Sequence, residues 1–282
     1  MKRKFLDLLK NTSDHTRVCV GIDPRISLIP DRYKSSGTAI SDGNTDAEIL
    51  EEFCMDVIDA TSGSAAAFKF NLAFFEALKN GEQALMNILK QARIHPHIAL
   101  IGDSKNADIG NTNESYYQKM FEKYGFDAMT TNPYMGEPEN IRELIIKEDK
   151  FLIPVLFTSN PDAEKIQKLI LSDGRFLFEE VGRQITEDWE TKNNCGVVIG
   201  ATKTEEDFVK ACRVTRQNFV LVPGIGKQGG SLEMCVQNLH NRLFLVNSSR
   251  EIIYSNRPEV AGEKLRIEIN TLLRRINENE SE

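Results

Sequence analysis

The chain has 282 residues, 40% of them hydrophobic and 27% charged, which is enough apolar mass for a sizeable core and too ordinary for a disordered or fibrous protein. A net charge of -7 argues against a nucleic-acid partner, although a local pocket on an acidic protein can still be positive. No stretch approaches the roughly 18 consecutive apolar residues of a membrane span, so no membrane association is expected.

The chain starts Met1-Lys2-Arg3-Lys4, which resembles the opening of a signal peptide, but Asp7 and Lys10 interrupt the apolar run at once and no small-residue cleavage site follows. Cys19, Cys54, Cys195, Cys212 and Cys235 are odd in number and widely spaced, with no C-x-x-C pair. They read as reduced thiols filling the core of a cytoplasmic protein.

Short apolar runs alternate with longer helical patterns along the whole chain. Eight strands are predicted, over residues 18–23, 66–71, 98–105, 128–132, 151–159, 196–201, 219–224 and 243–249. Several are unbroken apolar runs, such as Ile98-Ala99-Leu100-Ile101, as parallel strands covered on both faces require. Leu50, Phe53, Cys54, Val57 and Ile58 mark one face of a helix between the first two strands. Phe208 and Ala211 begin a shorter helix after Thr204, and Leu232, Cys235, Val236 and Leu239 form another apolar stripe. Leu265, Ile269, Leu272, Leu273 and Ile276 give the last helix. Eight strand–helix alternations predict an α/β fold, a single (β/α)8 TIM barrel over residues 1–282, rather than an open doubly wound sheet. Two segments exceed what a minimal barrel needs: residues 25–44, rich in Ser, Gly, Pro and Asp, and residues 172–194, with a helix-like run over 176–189.

Barrel active sites lie at the C-terminal ends of the strands. Those ends carry polar groups after apolar runs: Asp23, then Lys69 and Asn71, then Asp103 and Lys105, then Thr158 and Ser159, and finally Ser249 and Arg250. Residues two apart on a strand share a face, so Asp103 and Lys105 are expected to project together into the barrel mouth beside Lys69. Asp108 lies beyond, in a loop, and can reach further, toward a second subunit. A fixed ammonium beside ionised carboxylates can stabilise a developing carbanion and then protonate it. The plainer alternative is a buried ion-pair network without chemistry. After the seventh strand, Pro223-Gly224-Ile225-Gly226-Lys227-Gln228-Gly229-Gly230 precedes a helix, and Arg250 follows the eighth. Backbone N–H groups of such a loop, with an arginine alongside, make a phosphate site. Either element alone is an ordinary turn or a surface arginine; on adjacent strands they favour a phosphorylated substrate. His95 and His97 precede the third strand at the opposite end, His15 and His240 have no partner spacing, and neither a metal-binding nor a cofactor-binding motif is present.

These residues resemble the orotidine 5'-phosphate decarboxylase family, in its longer subgroup, from Cys19 to about Arg250. The family's Asp-x-Lys-x-x-Asp-Ile motif stands here as Asp103-Ser104-Lys105-Asn106-Ala107-Asp108-Ile109. Around it, in the family's order, are Gly21-Ile22-Asp23-Pro24, Phe68-Lys69-Phe70-Asn71, Thr158-Ser159-Asn160-Pro161, Pro223-Gly224-Ile225-Gly226-x-Gln228 and Ser248-Ser249-Arg250. The resemblance implies a cofactor-free conversion of orotidine 5'-monophosphate to uridine 5'-monophosphate. Lys105 would protonate C6 of the pyrimidine, Asp103 would sit by the departing carboxylate, and Lys69 would complete the network. Asp108, with Ile109 and Thr112, would act across a homodimer interface. Asp23 and Asn71 would contact the ribose or position the network, and Thr158 and Ser159 would meet the pyrimidine edge. Gln228 and Arg250 would hold the 5'-phosphate, with Pro223, Gly226 and Ser249 in the motifs beside them. The loop at 226–230 is the candidate to close over the site.

Two enzyme rivals and one of a different class remain. A magnesium-dependent keto-sugar-phosphate decarboxylase or aldolase of the same superfamily is expected to need a carboxylate near Lys69. A Schiff-base aldolase wants a lysine of lowered pKa, against the influence of the flanking aspartates. A non-catalytic nucleotide-binding barrel would not require the complete charge cluster.

Overall fold

The computed structural model describes residues 3–34, 46–136, 139–189, 194–226 and 229–280. Eight parallel strands close into a barrel in chain order: β1 (Val18–Ile22), β2 (Ala65–Asn71), β3 (Ala99–Asp103), β4 (Ala128–Thr131), β5 (Phe151–Phe157), β6 (Gly196–Ile199), β7 (Phe219–Pro223) and β8 (Phe244–Ser248). The ring closes where Val18, Cys19 and Val20 of β1 pair with Val246, Asn247 and Ser248 of β8. Helices cover the outside, and the predicted apolar stripes are the faces they bury. Leu50, Phe53, Cys54, Val57 and Ile58 on the helix Asp46–Thr61 are all inaccessible.

Period-two alternation along each strand splits the core in two. Outward residues, among them Val18, Val20, Phe68, Phe70, Leu100, Val197, Val220 and Val246, pack under the helices. Inward residues form a separate interior cluster that includes Cys19, Ala67, Ala99, Ile101, Ala128, Phe151, Ile153, Phe219, Leu221 and Leu245. On β2, β3 and β8 the inward set turns from apolar to polar toward the C-terminal end, as in Ala67 then Lys69, Ile101 then Asp103, and Leu245 then Asn247, whereas Val155, Val198 and Leu221 keep β5–β7 apolar up to the cavity. The barrel is thus a dry floor beneath a charged rim.

The floor has a plug. The helix Phe5–Thr12 inserts Phe5 and Leu9 into the interior cluster. Phe5 meets Phe151 at 4.7 Å between ring centroids and Phe219 edge-on at 5.2 Å. Small residues Ala67, Ala99 and Ala128 on β2–β4 leave room for these three rings. Arg3 ties the segment down by donating to both oxygens of buried Asp127, at 3.0 and 2.9 Å. In the sequence this segment resembles only the start of a targeting signal, yet Phe5, Leu8 and Leu9 have the i, i+3, i+4 spacing of a packing helix.

Strand limits differ from expectation mainly at the rim. β3 ends at Asp103 rather than 105, and β5 at Phe157 rather than 159, because the chain there turns into site loops. The 25–44 segment is not all loop: it holds a 3-10 turn at Ile26–Leu28 and a short helix at Asp31–Lys34, with residues 35–44 outside the described residues. The 176–189 run is a helix, Leu177–Gln184, that widens into a π-turn, Ile185–Trp189. All five cysteines are free and buried. No helix among the described residues is long and apolar enough to cross a membrane.

Truncating the plug with Phe5→Ala removes a fully buried aromatic ring, so urea denaturation should show a loss of about 3–5 kcal/mol. A loss below about 1 kcal/mol would mean that the floor is held by β5 and β7 alone.

Candidate active site

Inward-facing Lys69 on β2 is 5% exposed, and a buried ammonium is strongly disfavoured unless paired. Its Nζ donates to Asp103 Oδ2 at 2.7 Å and lies 3.5 Å from Asp23 Oδ1. The other oxygen of Asp103 accepts from Lys105 Nζ at 2.5 Å and from the Thr130 hydroxyl at 2.8 Å. Asp23 is held in turn by Ser249, whose Oγ donates to Asp23 Oδ2 at 2.6 Å. The rim therefore carries a continuous chain, Ser249 to Asp23 to Lys69 to Asp103 to Lys105, in which the charges alternate in sign.

That alternation sets the protonation states. Burial pushes the Lys69 ammonium down, but the charges of Asp103 and Asp23 outweigh it, and its pKa ends above the usual lysine range. Burial likewise pushes the Asp103 carboxyl up, and the charges of Lys69 and Lys105 more than reverse this, leaving it well below the usual carboxylate range. Both groups are ionised at neutral pH.

Lys105 reaches the cluster by a different route from the one expected. It is not a strand residue: it follows the end of β3 in the left-handed region, at φ +54°. A turn, rather than strand alternation, folds its ammonium back over Asp103. The Lys105 side chain is half exposed, so this lysine faces the mouth while Lys69 lies beneath.

A cavity of about 200 Å³ is lined by Asp23, Lys69, Asn71, Asp103, Lys105 and Thr130 of the charge cluster together with Pro223, Gly224, Ile225, Ser249, Arg250 and Glu251 of the loops after β7 and β8. Arg250 opens the short helix Arg250–Ile253 after β8, and among the described residues no acidic side chain pairs with it. Gly224, at φ +98°, accepts from the Gly230 N–H and rounds the loop off. Gly226 does not line the cavity; at φ +85° it lies so close to Glu251 that a Cβ would meet that carboxylate at 2.0 Å. Gln228 lies outside the described residues, as does Lys227, so the expected phosphate contact and the proposed closing loop are described only at their ends.

A second cavity shares Lys105 and Val155 with the first and is lined by Asn132, Tyr134, Thr158, Ile166 and Gln167. Thr158 therefore shares a cavity with Lys105, and its backbone N–H bonds to Gln167 Oε1 at 3.1 Å. Ser159 lines neither cavity, and its buried hydroxyl has no hydrogen-bond partner among the described residues. Asp108, Ile109 and Thr112 are not brought to this chain's cavity. Asp108 Oδ1 accepts the N–H of Ile109, the residue just before the helix Gly110–Tyr117, and Ile109 is 78% exposed. Sequence reasoning missed Thr130, Asn247 and Glu251 in the cavity wall. Thr130 carries no signal in the sequence; the pairing of Gly102 with Met129 sets it beside Asp103.

Because the folded-state pKa of Asp103 is depressed, its contribution to stability is fully present above the unfolded value near pH 4 and is lost as pH falls through the folded one. The raised pKa of Lys69 acts in the opposite sense, contributing below about pH 10 and fading as pH rises beyond it. Asp103→Asn should therefore cost about 3 kcal/mol, evenly from about pH 5 to 9, with the gap to wild type narrowing below about pH 4 in denaturant titrations. A gap that is constant down to pH 2 would contradict an ionised, paired Asp103.

The family model described as orotidine 5'-phosphate decarboxylase / HUMPS matches residues 16–265. The orotidine 5'-phosphate decarboxylase of Janthinobacterium sp. (strain Marseille) is 34% identical over 259 residues, covering 90% of each chain. Among solved structures, the OMP decarboxylase of Leishmania donovani superposes with a TM-score of 0.82 at 28% identity, covering 96% of this chain and 99% of that one. The Leishmania donovani UMP synthase superposes at 0.83 with 30% identity, and this chain spans 56% of its length. With the barrel, the rim cluster and a match over most of its length, the chain belongs to the orotidine 5'-phosphate decarboxylase / HUMPS family.

Proposed function

We propose that this chain, acting as one barrel domain, decarboxylates orotidine 5'-monophosphate to uridine 5'-monophosphate and CO2, the last step of de novo pyrimidine nucleotide synthesis. One observation carries the reading: Asp103 is held ionised between Lys69 and Lys105 in the wall of a cavity that Arg250 and a glycine loop also line. The free, buried cysteines favour a cytoplasmic setting.

In the proposed reaction the 5'-phosphate binds Arg250 and the loop from Gly224, with Gln228 assigned to the same end, and the ribose lies by Asp23 and Asn71. The pyrimidine edge extends toward Thr158 and Ser159, and its C6 carboxylate comes against Asp103. Two like charges there raise the energy of the bound substrate, and the C6–carboxylate bond breaks with its electron pair left on C6. CO2 departs uncharged. The Lys105 ammonium stabilises the developing carbanion and gives it a proton, and the neutral amine is reprotonated from solvent. Phosphate binding, distant from the chemistry, contributes its energy to the transition state.

The keto-sugar-phosphate alternative falls within the same family description, so the site must separate the two. A cation shared by Asp23 and Asp103 would need the space where the Lys69 ammonium already lies. The curated relatives, at 32–36% identity, carry the decarboxylase name. The Schiff-base alternative needs a lysine of lowered pKa, and Lys69 is shifted the other way. We further propose a homodimer in which Asp108, with Ile109 and Thr112, completes the partner's site. In support, these residues lie outside their own chain's cavity, and Ile109 is an exposed apolar side chain beside them.

Purified protein in excess EDTA should convert orotidine 5'-monophosphate to uridine 5'-monophosphate, followed by ultraviolet absorbance, and Lys105→Ala should lower kcat by at least about 100-fold. An inert wild type that turns over keto-sugar phosphates once magnesium is restored would overturn the assignment. Mixing inactive Lys105→Ala and Asp108→Ala chains should restore about one quarter of wild-type activity, since half the dimers are hybrids with one intact site each. No recovery on mixing would place Asp108 in its own chain's site or outside the chemistry.

A further inference from the structure

Thr130 on β4 is 1% exposed, and its single hydroxyl serves both partners of the central ion pair. It donates to Asp103 Oδ1 at 2.8 Å and accepts the backbone N–H of Lys105 at 3.1 Å. A hydroxyl has one proton and two lone pairs, so both bonds form at once. The second bond falls where the backbone is least comfortable, at Lys105, whose left-handed φ is rare for a residue with a side chain. β4 grips the same turn on either side as well. Ser104 Oγ donates to the Thr130 carbonyl at 3.4 Å, and Thr131 Oγ1 donates to the Asn106 carbonyl at 2.7 Å.

We propose that Thr130 is a positioning residue for the decarboxylation: by tying the Lys105 backbone to the Asp103 carboxylate, it fixes the ammonium over C6 of the substrate. This rests on the function proposed above. Thr130 is on β4, across the ring from the end of β8 that Arg250 follows, and bonds Asp103 directly, so its hydroxyl governs the reaction step rather than the grip on phosphate. Valine at this position keeps the shape of threonine and removes both hydrogen bonds. Serine keeps the hydroxyl and loses only a methyl.

The test compares kcat and KM for orotidine 5'-monophosphate, and the Kd of uridine 5'-monophosphate, in wild type, Thr130→Val, Thr130→Ser and Thr130→Ala. Loss of a hydrogen bond to a charged group predicts that Thr130→Val lowers kcat about 10- to 100-fold, with KM and Kd within about 3-fold and most of kcat recovered in Thr130→Ser. A Thr130→Val kcat within about 2-fold of wild type overturns the proposal. So does an equal loss in Thr130→Val and Thr130→Ser, or a loss of kcat matched by the loss of product affinity, since either marks a packing role. If Thr130→Val does not fold, Thr130→Ala against Thr130→Ser makes the same comparison. An inert wild type would instead remove the proposed function, and the positioning role with it.

Discussion

The Asp103 carboxylate, buried at the rim and gripped by two ammonium groups and a hydroxyl, is the contact on which the rest of the site depends. One oxygen belongs to Lys69 and the other to Lys105 and Thr130, so every partner has a defined direction. Around it, two lysines and two aspartates cancel in net charge. Removing any one leaves an uncompensated charge in a partly desolvated place, which is far less favourable than the intact set. The dry floor matters here too: with Ile101, Ile153 and Leu221 in the barrel interior, the pairs interact through a medium that screens them weakly.

Much of this was legible in the sequence, for a physical reason. Parallel barrel strands are buried on both faces, so they appear as apolar runs, and any charge at the end of such a run needs an explanation; Lys69 and Asp103 stood out in that way. The eight-strand order and the helix faces followed from the same periodicities. What escaped detection has physical causes as well. The plug helix is eight residues long and preceded by basic residues, so its packing face was hidden by a resemblance to a targeting segment. Lys105 was expected on the strand because a left-handed residue leaves no mark in residue type unless it is glycine or asparagine. Thr130 looked like any β-branched strand residue, and only the β3–β4 register makes it a neighbour of Asp103. Ser249, expected among the substrate contacts, lines the cavity, and its bond to Asp23 was not foreseen because it joins groups 226 residues apart in the chain.

The cavity wall divides by charge. Lys69 and Lys105 balance Asp23 and Asp103 in the cluster, whereas Arg250, beside Glu251, has no acidic partner among the described residues. In the proposed reaction Arg250 would draw in the substrate phosphate and Asp103 would stress its carboxylate. The strands set Lys69 and Asp103 on a rigid frame, while Lys105 and Arg250 stand on the segments that follow β3 and β8.

The most direct test is a crystal structure of the protein with uridine 5'-monophosphate bound. The account predicts the phosphate on Arg250 and the loop from Gly224, with pyrimidine C6 about 3.5 Å from Lys105 Nζ and Asp103 beside the place the carboxylate has left. A nucleotide bound with its phosphate on the Lys69–Lys105 cluster, or with C6 turned away from Lys105, would contradict it.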